Sequence, residues 1–358
     1  MRIMIDAASG TGRRALPAVA GGVLAFAAFG AAAAQEKIVA SGYTGVWFDA
    51  QKACIFEPFN AKNSDIVVTT EPGLSSTTLV KLRQQKDNPE IDVAWIDGGV
   101  SEQAWDVGVL DTLDPKALTN MAGLTEQAIY KAKDGGIFAL STGFYAQGLL
   151  YNTKEVKEKP TSWWDLWKPE YANRVIFPSP AQAPFVPVFM FLNRLLGGNS
   201  TNFQPALDKF KTLKVSSYYD TTGVVQTAIQ SGDVDIGSYY VNTAWALSDI
   251  GLPIAAASPK EGLPTGDIRV QLAKNSKHKA AAEKLIDFAI GPESLTCLAE
   301  KLYLGPPLKE AKLSEKAQQR MPWGPEGSLA RLVFPDWNEV TAKKAEIIDL
   351  WNRQVVSK

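Results

Sequence analysis

Histidine is almost missing from this chain: His278 is the single one in 358 residues. Zinc sites built on imidazoles are thereby excluded, and a Ser-His-Asp triad has no support. His278 itself sits in a lysine-flanked run that reads as solvated surface. No G-x-S-x-G occurs, and Ser276-x-x-Lys279 stands without a K-T-G, so it reads as chance. Paired Asp and Glu side chains remain as the one route to an enzyme, a secreted carboxylate-dependent hydrolase. Excess charge is missing too: 37 Lys and Arg face 38 Asp and Glu. That balance argues against nucleic acid or an anionic membrane surface as partner. After residue 30 no apolar run is long enough to cross a bilayer, and no repeat or low-complexity tract appears.

What is present begins with an export signal over residues 1–34. Arg13 and Arg14 supply a positive segment, Leu16 to Gly30 an apolar one, and Ala32-Ala33-Ala34 a small-x-small cleavage pattern before Gln35. No Cys lies near that junction, so no lipid anchor is expected. The apolar stretch is shorter than the roughly 20 residues of a bilayer span. An exported, soluble protein of 324 residues is expected, long enough for two lobes. It carries 34 basic and 37 acidic residues, since residues 1–34 hold three Arg and one Asp. Cys54 and Cys297 would lie in an oxidising compartment, where either a disulfide or two separate buried thiols is consistent with their number. A bridge would tie an early helix to a late one.

Short apolar runs alternate with amphipathic segments, which predicts an α/β fold. Ile38–Ala40, Ile66–Val68 and Ile91–Ile96 read as strands, with helices over about 46–62 and from Ser75 to Gln85 between them. This opening implies a parallel sheet with right-handed crossovers. Further strands are predicted at Gly148–Tyr151, Arg174–Phe177, Val234–Ile236 and Ile254–Ala257, and a Gly- and Pro-bearing loop at 258–267. Helices are expected over 223–230, around Ala282, Leu285, Ile286 and Ala289, and over 338–355. Two sheets joined by crossings near 140–147 and 253–268 would leave a cleft between the carboxyl ends of their strands.

The stretch Leu82-Arg83-Gln84-Gln85-Lys86-Asp87-Asn88-Pro89-Glu90-Ile91-Asp92-Val93-Ala94-Trp95 resembles a segment of the solute-binding proteins of bacterial ABC importers. So do Pro160-Thr161-Ser162-Trp163-Trp164-Asp165-Leu166-Trp167, Arg174-Val175-Ile176-Phe177-Pro178-Ser179-Pro180, Ile229-Gln230-Ser231-Gly232-Asp233-Val234-Asp235-Ile236-Gly237 and Lys274-Asn275-Ser276-Lys277-His278. The likeness runs in order over most of residues 36–310 and lies nearest the polyamine- and ferric-ion-binding branches. It implies a two-lobed periplasmic type II binding fold. One lobe would hold residues 35–140 plus about 258–320 and the other 141–257, with 321–358 a C-terminal helical segment of open placement. It further implies a monomer without cofactor, whose partners are a small-molecule ligand and an inner-membrane permease.

The strand-end loops nominate the ligand-binding residues Tyr43, Thr44, Ser75, Ser76, Thr77, Asp97, Tyr145, Asp220, Thr221, Thr222, Tyr240, Asn242, Asp267 and Arg269. Carboxylates among aromatic rings suit an organic amine through charge pairing and cation–π contact. Arg269 and the helix starts at 75–78 and 220–223 would instead meet a carboxylate or phosphonate. The pairs Tyr218-Tyr219 and Tyr239-Tyr240 raise ferric ion, although strand alternation would turn one Tyr of each pair into the core. No metal ligand set is nominated.

Overall fold

The computed structural model describes residues 35–325 and 327–356; the export signal expected over 1–34 lies outside them. β1 (Glu36–Gly42) leads into α1 (Gly45–Gln51), a π-helical turn at Lys52–Phe56 and α2 (Glu57–Lys62). β2 (Ile66–Pro72), α3 (Ser75–Gln84) and β3 (Val93–Asp97) follow. β1 pairs in parallel with both β2 and β3, giving the order β2-β1-β3. The parallel opening predicted from the alternating runs is therefore present, because each helix returns the chain over the sheet. α4 (Val100–Asp106), β4 (Leu110–Asp111) and β5 (Ile129–Lys131) precede β6 (Ile137–Asn152).

The next elements are β7 (Val175–Pro178), α5 (Phe185–Leu195), α6 (Gln204–Phe210), β8 (Val215–Tyr219), α7 (Thr222–Gln230), β9 (Ile236–Tyr240), α8 (Val241–Asp249) and β10 (Ile254–Ala257). β11 (Leu263–Ala273), α9 (Lys279–Ala289), α10 (Pro292–Leu302), α11 (Glu315–Arg320), β12 (Leu332–Val333) and α12 (Trp337–Trp351) complete the chain. β6 serves both sheets. Its Leu140–Ala146 part pairs antiparallel with β11, while Gln147–Tyr151 pairs with β9. On the far side of β11 lies β3, and on the far side of β9 lie β7 and β8.

Two expectations about the connecting segments fail here. Residues 141–145, within the crossing expected near 140–147 and nominated through Tyr145 as a strand-end loop, lie inside β6. That strand is buried on both faces, so no alternation marks it. Residues 263–267, read as part of a loop, open β11. Pro264 lacks an N–H, but near the start of a strand this is tolerated. The last helix packs against α5, α6 and β8: Trp351 meets Phe185, Phe189, Phe210 and Tyr218 at ring separations of 4.8, 6.1, 5.0 and 5.4 Å.

Cys54 in the π-helical turn and Cys297 in α10 form a disulfide, with Cα atoms 5.6 Å apart and 243 positions between them in sequence. It ties the late helices to the first sheet's own helical layer. Because the closed loop spans most of the chain, opening it frees much unfolded-state entropy. Replacing both cysteines by Ser is expected to lower unfolding free energy by about 2–4 kcal/mol. Urea melts of the two proteins measure this, and coincident curves would remove the bridge from the stability account. No helix of the described residues is long and apolar enough to cross a membrane.

Candidate binding cleft

The carboxyl ends of β1 and β3 bring Tyr43 and Asp97 together. The Tyr43 N–H donates to the buried Gln51 Oε1 at 2.8 Å, which fixes the turn from β1 into α1. Its hydroxyl then donates to Asp97 Oδ1 at 2.8 Å. From the first turn of α3, Ser75 Oγ donates to Asp97 Oδ2 at 2.9 Å and accepts the Asp97 N–H at 3.0 Å. Asp97 thus has hydroxyl partners and no bonded cation. Burial pushes its carboxyl up to about 6, against the two hydrogen bonds, which favour the anion.

Around Asp97 lies a cavity of about 440 Å³ lined by Tyr43, Thr44, Gly45, Val46, Trp47, Leu74, Asp97, Tyr145, Ala183, Thr222, Tyr240, Thr243 and Ile268. Both sheets contribute, with Tyr145 supplied by the shared strand β6. The rings form two pairs: Tyr43 with Trp47 at 6.3 Å, and Tyr145 edge-on to Tyr240 at 5.7 Å. Burial first, and the Asp97 charge second, raise the Tyr43, Tyr145 and Tyr240 phenols well above the usual range, so they stay protonated donors. Gly266 of β11 is needed behind Tyr145, since a Cβ there would come within 2.3 Å of its hydroxyl.

Of the nominated residues, Tyr43, Thr44, Asp97, Tyr145, Thr222 and Tyr240 line the cavity. Ser75 stands one bond behind, through Asp97. Ser76 and Thr77 are exposed on α3, where Thr77 Oγ1 accepts the Leu74 N–H at 3.0 Å as a helix cap. Thr221 is the exposed residue before α7, and Asp220 beside it is exposed and accepts from Ser179 Oγ at 2.5 Å. Asn242 is buried, and its neighbour Thr243 takes the lining position.

Asp267 and Arg269 are buried to within 1% in a network of their own. Strand alternation turns them together to the face opposite Ile268, which is the β11 residue in the lining. Arg269 Nε donates to Asp267 Oδ2 at 2.9 Å and Nη1 to Glu102 Oε1 at 2.6 Å, while the guanidinium stacks 3.3 Å from the Tyr130 ring centroid. Burial opposes the charge on Arg269, but Asp267, Tyr130 and Glu102 outweigh it and hold the proton. Glu102 Oε2 also accepts the Gly99 N–H at 2.6 Å, so the network clamps the turn directly after Asp97. That turn requires glycine: a Cβ at Gly98 would lie 2.5 Å from Trp337 Nε1 and 2.7 Å from Arg269 Nη2.

Sequence reasoning did not nominate Gly45, Val46, Trp47, Leu74, Ala183, Thr243 or Ile268. Trp47 was absorbed into a helix interior, although its place four residues past Tyr43 at a strand-to-helix turn was the available signal. Val46 and Leu74 are 66% and 59% exposed, the usual mark of an apolar wall awaiting a partner.

Known proteins resemble this chain in sequence and fold. The family described as bacterial extracellular solute-binding protein matches residues 55–322. A spermidine/putrescine-binding periplasmic protein of Salmonella typhimurium is 26% identical over 275 residues, covering 75% of this chain and 78% of its own. An ABC transporter protein from Clostridium perfringens superposes with a TM-score of 0.76 at 23% identity, over 89% of this chain and 99% of that one. A spermidine/putrescine transporter substrate-binding protein from Streptococcus pneumoniae gives 0.74 at 20% identity, over 89% and 98%. These structures share the two-lobed fold of periplasmic binding proteins. With three quarters of its length matched, this chain belongs to the bacterial extracellular solute-binding protein family.

Proposed function

We propose that the chain is the periplasmic capture subunit of an ABC importer, released from its export signal at residues 1–34, and that its solute carries an amine. The observation that carries this reading is Asp97, a carboxylate with hydroxyl partners at the floor of an aromatic cleft. An ammonium group would replace lost water with a charge-assisted hydrogen bond to Asp97 and with the faces of the rings. Relatives are named for spermidine and putrescine, which are amines as well. A carboxylate or phosphonate would meet the Asp97 charge with no cation among the described lining residues. Ferric ion would need phenolates, which burial disfavours here.

The moving bodies are residues 35–146 with about 258–320, and residues 147–257; the boundary expected at residue 140 shifts along β6 because Leu140–Ala146 pairs with β11 and Gln147–Tyr151 with β9. Contacts to both exist together only when the cleft is closed, so solute binding shifts the population toward closure. The closed monomer then docks on the membrane permease and releases its cargo.

A thermal-shift screen of residues 35–358 against amines, phosphonates, small carboxylates and ferric citrate tests the reading. An amine at 100 times its dissociation constant should add about 2.7 kcal/mol of stability. A shift with anions alone would overturn it. The pH profile carries a second expectation. Above about pH 6 Asp97 is anionic and amine affinity is flat. Below it, protonation must be reversed before binding, and affinity should fall by up to about tenfold per pH unit. Calorimetry at pH 5 and 7.5 measures the ratio, and equal affinities would separate Asp97 from the amine.

A further inference from the structure

We infer that the cleft selects solutes with a single ammonium centre on an apolar or aromatic body over di- and polyamines, because Asp97 is the only carboxylate in its lining among the described residues. The inference rests on the amine reading and sharpens it. The loops around the cleft bring five acids near, and four of them are engaged or turned away. Glu71 is held by Lys81. Glu261 accepts from Ser162 Oγ and from the Trp163 N–H. Asp267 is paired with Arg269 on the other face of β11. Asp220 points to solvent against Ser179, outside the lining.

One negative charge then faces a wall of Val46, Trp47, Leu74, Ala183 and Ile268. A second ammonium on the same solute would have to leave water beside apolar side chains with no countercharge. Burying an unpaired charge in this way is strongly unfavourable. A hydrocarbon or ring in the same place buries the exposed Val46 and Leu74 instead. The relatives that carry spermidine and putrescine in their names are 26% and 25% identical to this chain over 275 and 298 aligned residues, which leaves room for such a change of charge count.

Titration calorimetry of residues 35–358 with matched probes tests this: hexylamine, 2-phenylethylamine and 1,6-diaminohexane, each against the parent, Asp97→Asn and Asp220→Asn. The monoamines should bind about tenfold more tightly than the diamine. Asp97→Asn should weaken all three, and Asp220→Asn should change none by more than about twofold. Parity or a preference for the diamine would overturn the inference while leaving the amine reading standing. So would an Asp220→Asn loss as large as that of Asp97→Asn, which would reveal a second anionic anchor. Binding of phosphonates or ferric citrate with no response to any amine would remove both readings together.

Discussion

Asp97→Asn is expected to abolish amine capture at working concentrations while making the empty protein more stable. Removing one partner of a desolvated charge pair costs about 2–5 kcal/mol of binding, or roughly 30-fold to several-thousand-fold in affinity. The Asn side chain still accepts a hydrogen bond from Tyr43, so the cleft keeps its shape and the loss reports charge. Stability moves the other way. Folding carries the Asp97 carboxyl from an unfolded value near 3.9 to about 6. Between roughly pH 4 and 6 the folded chain therefore holds the extra proton, and stability falls as pH rises through that window. Asn does not ionise, so the variant escapes the fall and should be about 1–2 kcal/mol more stable at pH 7, allowing for the partial exposure of the group. Melting curves from pH 4 to 8, with and without amine, read both effects. Parallel pH profiles for parent and variant would show that Asp97 is not the strained group.

Arg269→Met should destabilise the fold by about 3–5 kcal/mol, the largest stability loss expected of any single substitution here. The reason is not the loss of a contact but what remains behind. Asp267, 1% exposed, and Glu102 would be left with no cation between them. The double variant Arg269→Met/Asp267→Leu removes the stranded charge and should recover much of the loss, as hydrophobic replacement of a buried ion pair often does. Denaturant melts of parent, single and double variants measure the coupling. If the single variant melts with the parent, the network is not structural. The same substitution frees Glu102 from one side while its Gly99 bond persists, so the turn after Asp97 should loosen rather than collapse.

The polar half of the cleft was legible because it follows from strand ends. Tyr43, Thr44 and Asp97 close recognisable strands, and a parallel β-α-β-α-β opening brings the carboxyl ends of β1 and β3 together. Thr222 and Tyr240 stand at equivalent edges of the second sheet. Which face of a strand meets the cleft was not legible when both faces are buried. β11 shows this: Asp267 and Arg269 share one side and Ile268 takes the other, and a period of two cannot say which is which. The apolar wall was hidden for another reason. Val46 and Leu74 look like core residues in sequence, and only the assembled lobes leave them uncovered. α5 went unread because Phe185-Val186-Pro187-Val188-Phe189-Met190-Phe191-Leu192 is apolar all round, with no polar face to give a period.

The strand shared by both sheets has a thermodynamic consequence. Without Leu140–Ala146 β11 loses a partner in the first sheet, and without Gln147–Tyr151 the second loses the strand between β9 and β10, yet these are neighbouring parts of one uninterrupted backbone. Melting either half strips hydrogen-bond partners from the end of the same strand on which the other depends. The halves are therefore bound together in cooperativity, and heat should find a single transition.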